Sequence, residues 1–253
     1  MAEGRVEFAK VSYTLPSSAV LLGDISLKLE PGSVTALLGR SGSGKTTLLR
    51  MVNGLVRPTS GQVLVSDTPV EDTGLIELRR GIGYVIQESG LFPHMTVARN
   101  VGMAMELAGR SGAEIAGRVT EVLALAGIDA KEFSQRYPWQ LSGGQRQRVG
   151  LARALAMGAP VLLMDEPFGA IDPLTRAEMQ TMLKSLLQTV HKTVLLVTHD
   201  LEEALYLADR VVFLQAGVVV ADLRANEVLA SANPQVREYV AAVHRVVAEG
   251  APA

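Results

Sequence analysis

The stretch Gly39-Arg40-Ser41-Gly42-Ser43-Gly44-Lys45-Thr46-Thr47 constrains this chain more than any other. An apolar run, Val34 to Leu38, precedes it, and Leu48, Leu49, Val52 and Leu55 follow at helical spacing. It therefore reads as a strand, a glycine-rich turn and the start of a helix. Glycines let the backbone curl so that successive N–H groups face one anion, and the helix adds its positive end. In such a cradle Lys45 reaches the β- and γ-phosphates of a nucleotide, and the Thr46 hydroxyl can ligate Mg²⁺. The plain alternative is a glycine turn that holds no ligand.

With 253 residues, the chain is long enough for one large domain or a core carrying an insertion. Charged residues make up 20% and the formal net charge is −2, so no broad polyanion-binding surface is expected and nucleic acid is not an expected partner. The absence of cysteine excludes disulfides and thiolate metal sites. Met1 to Lys10 is charged and strand-like, unlike a secretion signal. The apolar runs fall far short of the roughly 20 residues a membrane helix needs. A soluble protein is expected, with any membrane link running through a partner.

Residues 4 to 38 read as strands with antiparallel character: Val6, Phe8, Val11 and Tyr13 alternate roughly, and Ile25, Leu27 and Leu29 alternate strictly. Gln62 to Val65 and Ile82 to Ile86 are short strands, with Gln87 at the end of the second. From Glu88 to about Gly158 the pattern turns helical, with Ile115, Val119, Val122, Leu123 and Ala126 on one face. Val161 to Met164 and Thr193 to Thr198 lack alternation, as expected of strands covered on both faces. Asp172-Pro173 offers an N-cap and a first-turn proline for a helix through Val190. Asp200 and Glu203 have the spacing of a capping box. Val211 to Leu214 and Val218 to Asp222 flank Ala216-Gly217 as a hairpin, and residues 226 to 248 read as helical. Alternating strands and helices give an α/β fold with a largely parallel central sheet.

Asp165 and Glu166 close the run from Val161, at the strand end where open parallel sheets hold ligands. Asp165 suits a direct or water-mediated Mg²⁺ ligand, and Glu166 a carboxylate that orients and polarises an attacking water. Alone, the pair could be two solvated carboxylates. Leu141-Ser142-Gly143-Gly144-Gln145 also has two readings. Ser142 and Gln145 fit a capping box opening the helix Arg146 to Met157, yet the serine and glycines leave a hydroxyl and N–H groups for a phosphate. If each such helix end closes over a nucleotide held by another copy of the chain, hydrolysis depends on dimerisation.

Gly39 to Thr47, Gln87, Leu141 to Gln145, Val161 to Pro167, Asp172 and His199 stand in the order and spacing of an ABC-transporter ATPase subunit, which the chain resembles over nearly its whole length. The resemblance implies a P-loop NTPase core with a largely parallel central sheet, an N-terminal antiparallel β-subdomain and an inserted helical subdomain at about 88–158, all within one ABC ATPase domain spanning 1–253. It implies ATP and Mg²⁺ as ligands. Tyr13 would stack on adenine, and Gly39, Arg40, Ser41, Gly42, Ser43, Gly44, Lys45, Thr46 and Thr47 would hold the phosphates and metal. Gln87 would touch metal and attacking water. Ser142, Gly143 and Gly144, with Gln145 in the same element, would meet the γ-phosphate bound by the opposite protomer. Asp165 would partner Mg²⁺, Glu166 would be the catalytic carboxylate, Asp172 would link the dimer, and His199 would contact the γ-phosphate. Tyr13 also fits a plain strand aromatic, Asp172 a plain helix cap, and His199 a structural residue at a strand end. The loop Phe168-Gly169-Ala170-Ile171-Asp172 departs from the Ser-Ala-Leu-Asp more usual in the family.

Relatives of this kind also act in DNA repair and translation, but those usually carry a long coiled coil or two linked ATPase domains. The resemblance therefore implies an importer subunit, peripheral on the cytoplasmic face of the membrane. Its partners would be a second ATPase copy, two membrane-spanning permease subunits and, indirectly, a solute-binding protein. Leu91 to Val101 resembles the region that receives a permease helix, though Leu91, Phe92 and Met95 also fit ordinary core. Leu78-Arg79-Arg80, Gly83 to Gln87 and Leu91 to Thr96 resemble the glycine betaine, choline and carnitine branch. Such subunits commonly continue into a pair of CBS motifs, which do not appear after the last expected helix. Amino acids or another small solute are the alternatives.

Overall fold

A computed structural model describes residues 4–87, 89–169 and 171–243. In chain order the elements are β1 (Val6–Thr14), β2 (Val20–Leu29), β3 (Val34–Leu38), α1 (Lys45–Val52), β4 (Ser60–Val65), β5 (Thr68–Pro69), α2 (Leu75–Arg80), β6 (Ile82–Val85), α3 (Val97–Leu107), α4 (Gly112–Leu125) and α5 (Ala130–Phe133). They continue with α6 (Gly143–Leu155), β7 (Val161–Asp165), α7 (Pro173–Val190), β8 (Thr193–Thr198), α8 (Leu201–Leu207), β9 (Arg210–Gln215), β10 (Val218–Arg224) and α9 (Pro234–Val243).

The strands form two sheets. One is antiparallel, in the order β2-β1-β4-β5; the other runs β10-β9-β3-β8-β7-β6 and is parallel except at its β9–β10 hairpin. β3 is the exception to the antiparallel reading of residues 4–38. Its five residues are all buried and it pairs in parallel with β8 and β9. The unbroken apolar run was the sign, because a strand covered on both faces has no polar side to alternate with.

Strand periodicity divides the core. Ala36 and Leu38 of β3, Leu162 and Met164 of β7, and Val194 and Leu196 of β8 pack into one cluster with α3, α4, α6 and α7. Their neighbours Leu37, Leu163, Leu195 and Val197 pack into a second cluster with α1 and the antiparallel sheet. Adjacent residues of one strand thus fill opposite cores. The central sheet is the middle layer, and its C-terminal edge is left to the loops.

Between β6 and β7 the described residues hold α3 to α6 and no strand. Val119, Val122, Leu123 and Ala126 face inward as the spacing required, with Ile115 packed beside them. The hairpin forms as expected, with Ala216 at φ 47° and Gly217 at φ 79°, the left-handed pair that a two-residue turn uses. Two expectations are revised. The 226–248 stretch contains only a 3-10 turn at 225–227 and α9, because Asn233 accepts from Gln235 N and Val236 N and starts the helix there; residues 244–248 lie outside the described chain. Asp200 caps α8 through Glu202 N and Glu203 N, but Glu203 does not return the bond, since its side chain is buried and Asp200 N donates to Thr198 Oγ1 instead.

Candidate functional site

The glycine turn leaves the C-terminal end of β3 and enters α1. At Gly39 a side chain would stand 2.2 Å from the Leu214 carbonyl oxygen, so only glycine lets the turn pass β9. At Gly44 φ is +99°, a conformation that L side chains resist, and this residue starts α1 without a side-chain cap. The first intrahelical bond is Leu48 N to Gly44 O, so the N–H groups ahead of it are free of intrahelical partners. No acid occupies the first turn. This helix end keeps both its donors and its dipole for an anion.

Lys45 is buried and folds back over the turn, donating to Gly39 O at 2.8 Å and Arg40 O at 3.0 Å. Burial pulls its ammonium below the usual lysine range, while the Glu166 and Asp165 carboxylates work against that shift. Ser43 Oγ is buried with no hydrogen-bond partner among the described residues. Such an orphan in a turn of convergent donors fits a missing phosphate oxygen. Arg40, Ser41 and Gly42 form the exposed crest of the turn, and Thr47 follows half-buried on α1.

Beside the turn, Asp165 ends β7 on the face shared with Val161 and Leu163, the side that α1 covers. Thr46 Oγ1 donates to Asp165 Oδ1 at 2.8 Å, Tyr84 Oη to Oδ2 at 3.4 Å, and the Arg50 guanidinium lies 3.8 Å from Oδ2. A hydroxyl and one carboxylate are hard oxygen donors of the kind Mg²⁺ takes, with substrate phosphates and water completing its shell. The described residues hold no cluster of three His, Cys, Asp or Glu that would bind a metal on its own. The donor set therefore fits Mg²⁺ delivered with a nucleotide.

Glu166 has φ +46°, left-handed for a residue with a side chain, and its N–H is held by Val197 O at 2.9 Å. Strain of this kind persists where the surroundings over-determine it, and it gathers at functional sites. Glu166 Oε2 lies 3.4 Å from Gln87 Nε2 and 3.4 Å from His199 Nδ1. Gln87 follows β6 and His199 follows β8, so three neighbouring parallel strands deliver this trio to one edge.

Tyr13 lies opposite Leu22 in the β1–β2 register, and Leu22 approaches Gly44 from below. That places Tyr13 beside the turn, one strand away. Asp172 is exposed and caps α7 by accepting from Thr175 N at 3.1 Å, a bond that holds its carboxyl below the usual range. Phe168 and Ile171 anchor the preceding loop in the core, and Ala170 lies outside the described residues.

Ser142, Gly143, Gly144 and Gln145 open α6, and the capping box is complete: Gln145 N donates to Ser142 Oγ at 3.2 Å and Ser142 N to Gln145 Oε1 at 2.9 Å. Among the described residues no hydrogen bond or ion pair joins them to the glycine turn. The structure thus assembles Lys45, Thr46, Asp165, Glu166, Gln87 and His199 in one place and leaves Ser142 to Gln145 outside it.

Sequence patterning missed several residues that shape this site. Gln147 on α6 is buried and donates to Gln87 O at 2.8 Å, and Arg153 donates to Ser89 O and Gly90 O, both at 2.7 Å. Together they tie the helix begun by Ser142 to the loop after Gln87. Asn100 is fully buried and accepts from Phe92 N while donating to Phe92 O, Met95 O and Thr96 O. No motif marks either contact; each depends on partners brought in by the fold.

Residues 22–169, more than half the chain, match the family described as ABC transporter. The choline transport ATP-binding protein OpuBA of Bacillus subtilis is 40% identical over 242 residues, 96% of this chain and 63% of the relative. The glycine betaine uptake system ATP-binding protein YehX of Escherichia coli is 45% identical over 215 residues, 85% of this chain and 69% of its own length. The sulfate/thiosulfate import ATP-binding protein CysA of Nocardia farcinica is 46% identical over 218 residues, covering 83% and 65%. Against the Bacillus relative the chain thus spans less than two thirds of the relative's length. Among solved structures, the ATP-binding cassette MJ0796, in a dimeric post-hydrolysis state bound to ADP and Pi, matches with a TM-score of 0.77 at 33% identity, covering 87% of this chain and 98% of that one.

Proposed function

The chain belongs to the ABC transporter family, and from that premise we propose that it is the ATP-hydrolysing subunit of an importer, working as a head-to-tail dimer. The observation that carries this reading is the gathering of Lys45, Thr46, Asp165, Glu166, Gln87 and His199 at one edge of the parallel sheet. Gly39 to Thr47 hold the phosphates, with Lys45 exchanging its two loop carbonyls for β- and γ-phosphate oxygens. Tyr13 stacks on the adenine. Thr46 and Asp165 hold Mg²⁺, which when bound offsets charge on the phosphates. Glu166 accepts a hydrogen bond from the attacking water, Gln87 orients that water, and His199 reaches the γ-phosphate.

Ser142, Gly143 and Gly144 serve the site of the second copy, with Asp172 between the two. Their separation from the chain's own glycine turn supports this division. The Ser142 hydroxyl already accepts from Gln145, yet its proton remains available to a phosphate. ATP then joins two chains, and hydrolysis parts them.

The membrane link is a permease pair. No helix among the described residues is long and apolar enough to cross a bilayer. A groove of about 500 Å³ runs between α2–β6 and the ends of α3 and α6, lined by Ile76, Ile82, Ala104, Leu107 and Met157 together with Arg79 and Arg153. Ile76 is 70% and Leu107 74% exposed. Nearby, the 91–96 loop presents Phe92 and His94 outward on the Asn100 scaffold. Apolar side chains left in water at this density fit a docked helix. We read residues 88–158 as the inserted helical subdomain that carries this motion, on the cytoplasmic face, with a solute-binding protein beyond the permease. Choline and glycine betaine relatives support a quaternary-amine solute. The sulfate/thiosulfate relative is also similar, at 46% identity over 218 residues, as fits a subunit that meets the permease and not the solute.

Purified protein should hydrolyse ATP, and Glu166→Gln should retain ATP binding while turnover falls by about 10²- to 10⁴-fold. Unchanged turnover in that variant would remove Glu166 from the chemistry.

A further inference from the structure

Helix α9 carries none of the motif residues, yet it touches the site from two sides. Val236 is fully buried and anchors it, and the Tyr239 ring meets Phe213 edge-on with centroids 5.8 Å apart. Glu238 pairs with Arg40 of the glycine turn at 3.0 Å, and the Tyr239 hydroxyl donates to the main-chain oxygen of His199 at 2.7 Å. The ion pair is exposed on both sides and contributes little. The phenol bond has the ordinary length of an O–H···O bond, and the Tyr239 ring that makes it is half-buried against Phe213.

The His199 imidazole is 61% exposed and, among the described residues, makes one polar contact, Nδ1 to Glu166 Oε2 at 3.4 Å. Packing does not aim such a side chain, so its direction comes from the main chain beneath it. On one side Asp200 N is held by Thr198 Oγ1 at 3.0 Å. On the other, Tyr239 holds the carbonyl. Burial and the nearby Asp200 carboxylate push the phenol above its usual range, so the hydroxyl remains a donor well past neutral pH.

Resting on the reading that His199 serves ATP hydrolysis, we propose that Tyr239 is a positioning residue whose hydroxyl fixes the main-chain turn from which His199 reaches Glu166 and the γ-phosphate. The C-terminal helix is thereby a structural part of the hydrolytic site. A hydrogen bond acting through another residue is a modest device, and its loss should be felt in turnover rather than in binding.

Tyr239→Phe keeps the ring and its packing and deletes one hydroxyl. Turnover should fall about five-fold, the worth of one ordinary hydrogen bond, with KM for ATP and the thermal midpoint unchanged. Deuterium exchange at the His199 and Asp200 amides should quicken in the same variant. Wild-type turnover in Tyr239→Phe, or a loss in which KM and thermal midpoint shift together with turnover, overturns the positioning role. If the wild-type chain hydrolyses no ATP, the functional reading falls and this inference falls with it; an active wild type beside an unaffected Tyr239→Phe removes this inference alone.

Discussion

Glu166 and Asp165 are adjacent carboxylates with different surroundings. Asp165 is buried among a hydroxyl, a phenol and a guanidinium, whereas Glu166, on a left-handed backbone, meets Gln87 and His199. Glu203 is a third acid of a separate kind. Burial pushes its carboxyl up to about 8, and Oε1 has no hydrogen-bond partner among the described residues. Its folded pKa lies above its unfolded one, so the folded state binds more protons between the two values, and stability falls as pH rises through that window. Glu203→Gln should therefore raise the thermal midpoint at about pH 8.5 and change it little at about pH 4.5. An equal shift at both values would mean that Glu203 is already ionised in the fold.

The elements differ in how openly the sequence displays them. β3, β7 and β8 were legible as unbroken apolar runs, α6 as a capping box, and α7 as a cap followed by a periodic face, because these signals are local. The sheet to which β3 belongs was not, since pairing is decided by strands more than a hundred residues away, as Val34↔Val194 shows. The glycine turn, Asp165 and Glu166 were legible because their chemistry is carried by residue type at short spacing. Gln147, Asn100 and Tyr239 were not, because each acts on a main-chain atom that only the fold delivers. Asn100 illustrates what such a residue does for a loop. Asn100→Ala would strip Phe92 N and the carbonyls of Phe92, Met95 and Thr96 of a buried partner, at a cost of roughly 1–3 kcal/mol in urea unfolding. The same variant should co-purify less permease, through disorder of the 91–96 loop. A loss of stability below the resolution of the measurement would show that water replaces the amide.

At the scale of the whole molecule, α1 and α6 are two helix ends with opposite local states. The first lacks a side-chain cap and lies beside Asp165; the second is capped by its own Ser142 and Gln145 and, among the described residues, makes no polar contact with the glycine turn. A single chain brings only the first beside Asp165 and Glu166, and on the proposed reading a second copy supplies the other. Gln147 and Arg153 then link α6 to the loop after Gln87, so closure over ATP is felt beside the groove assigned to the permease. The central claim is that ATP joins two copies through Ser142 to Gly144, and sedimentation of Glu166→Gln tests it most directly. With ATP and Mg²⁺ this variant should sediment as a dimer, and with ADP as a monomer. Adding Ser142→Arg should abolish the dimer while leaving ATP bound. A monomer in ATP, or a dimer untouched by Ser142→Arg, would contradict the account.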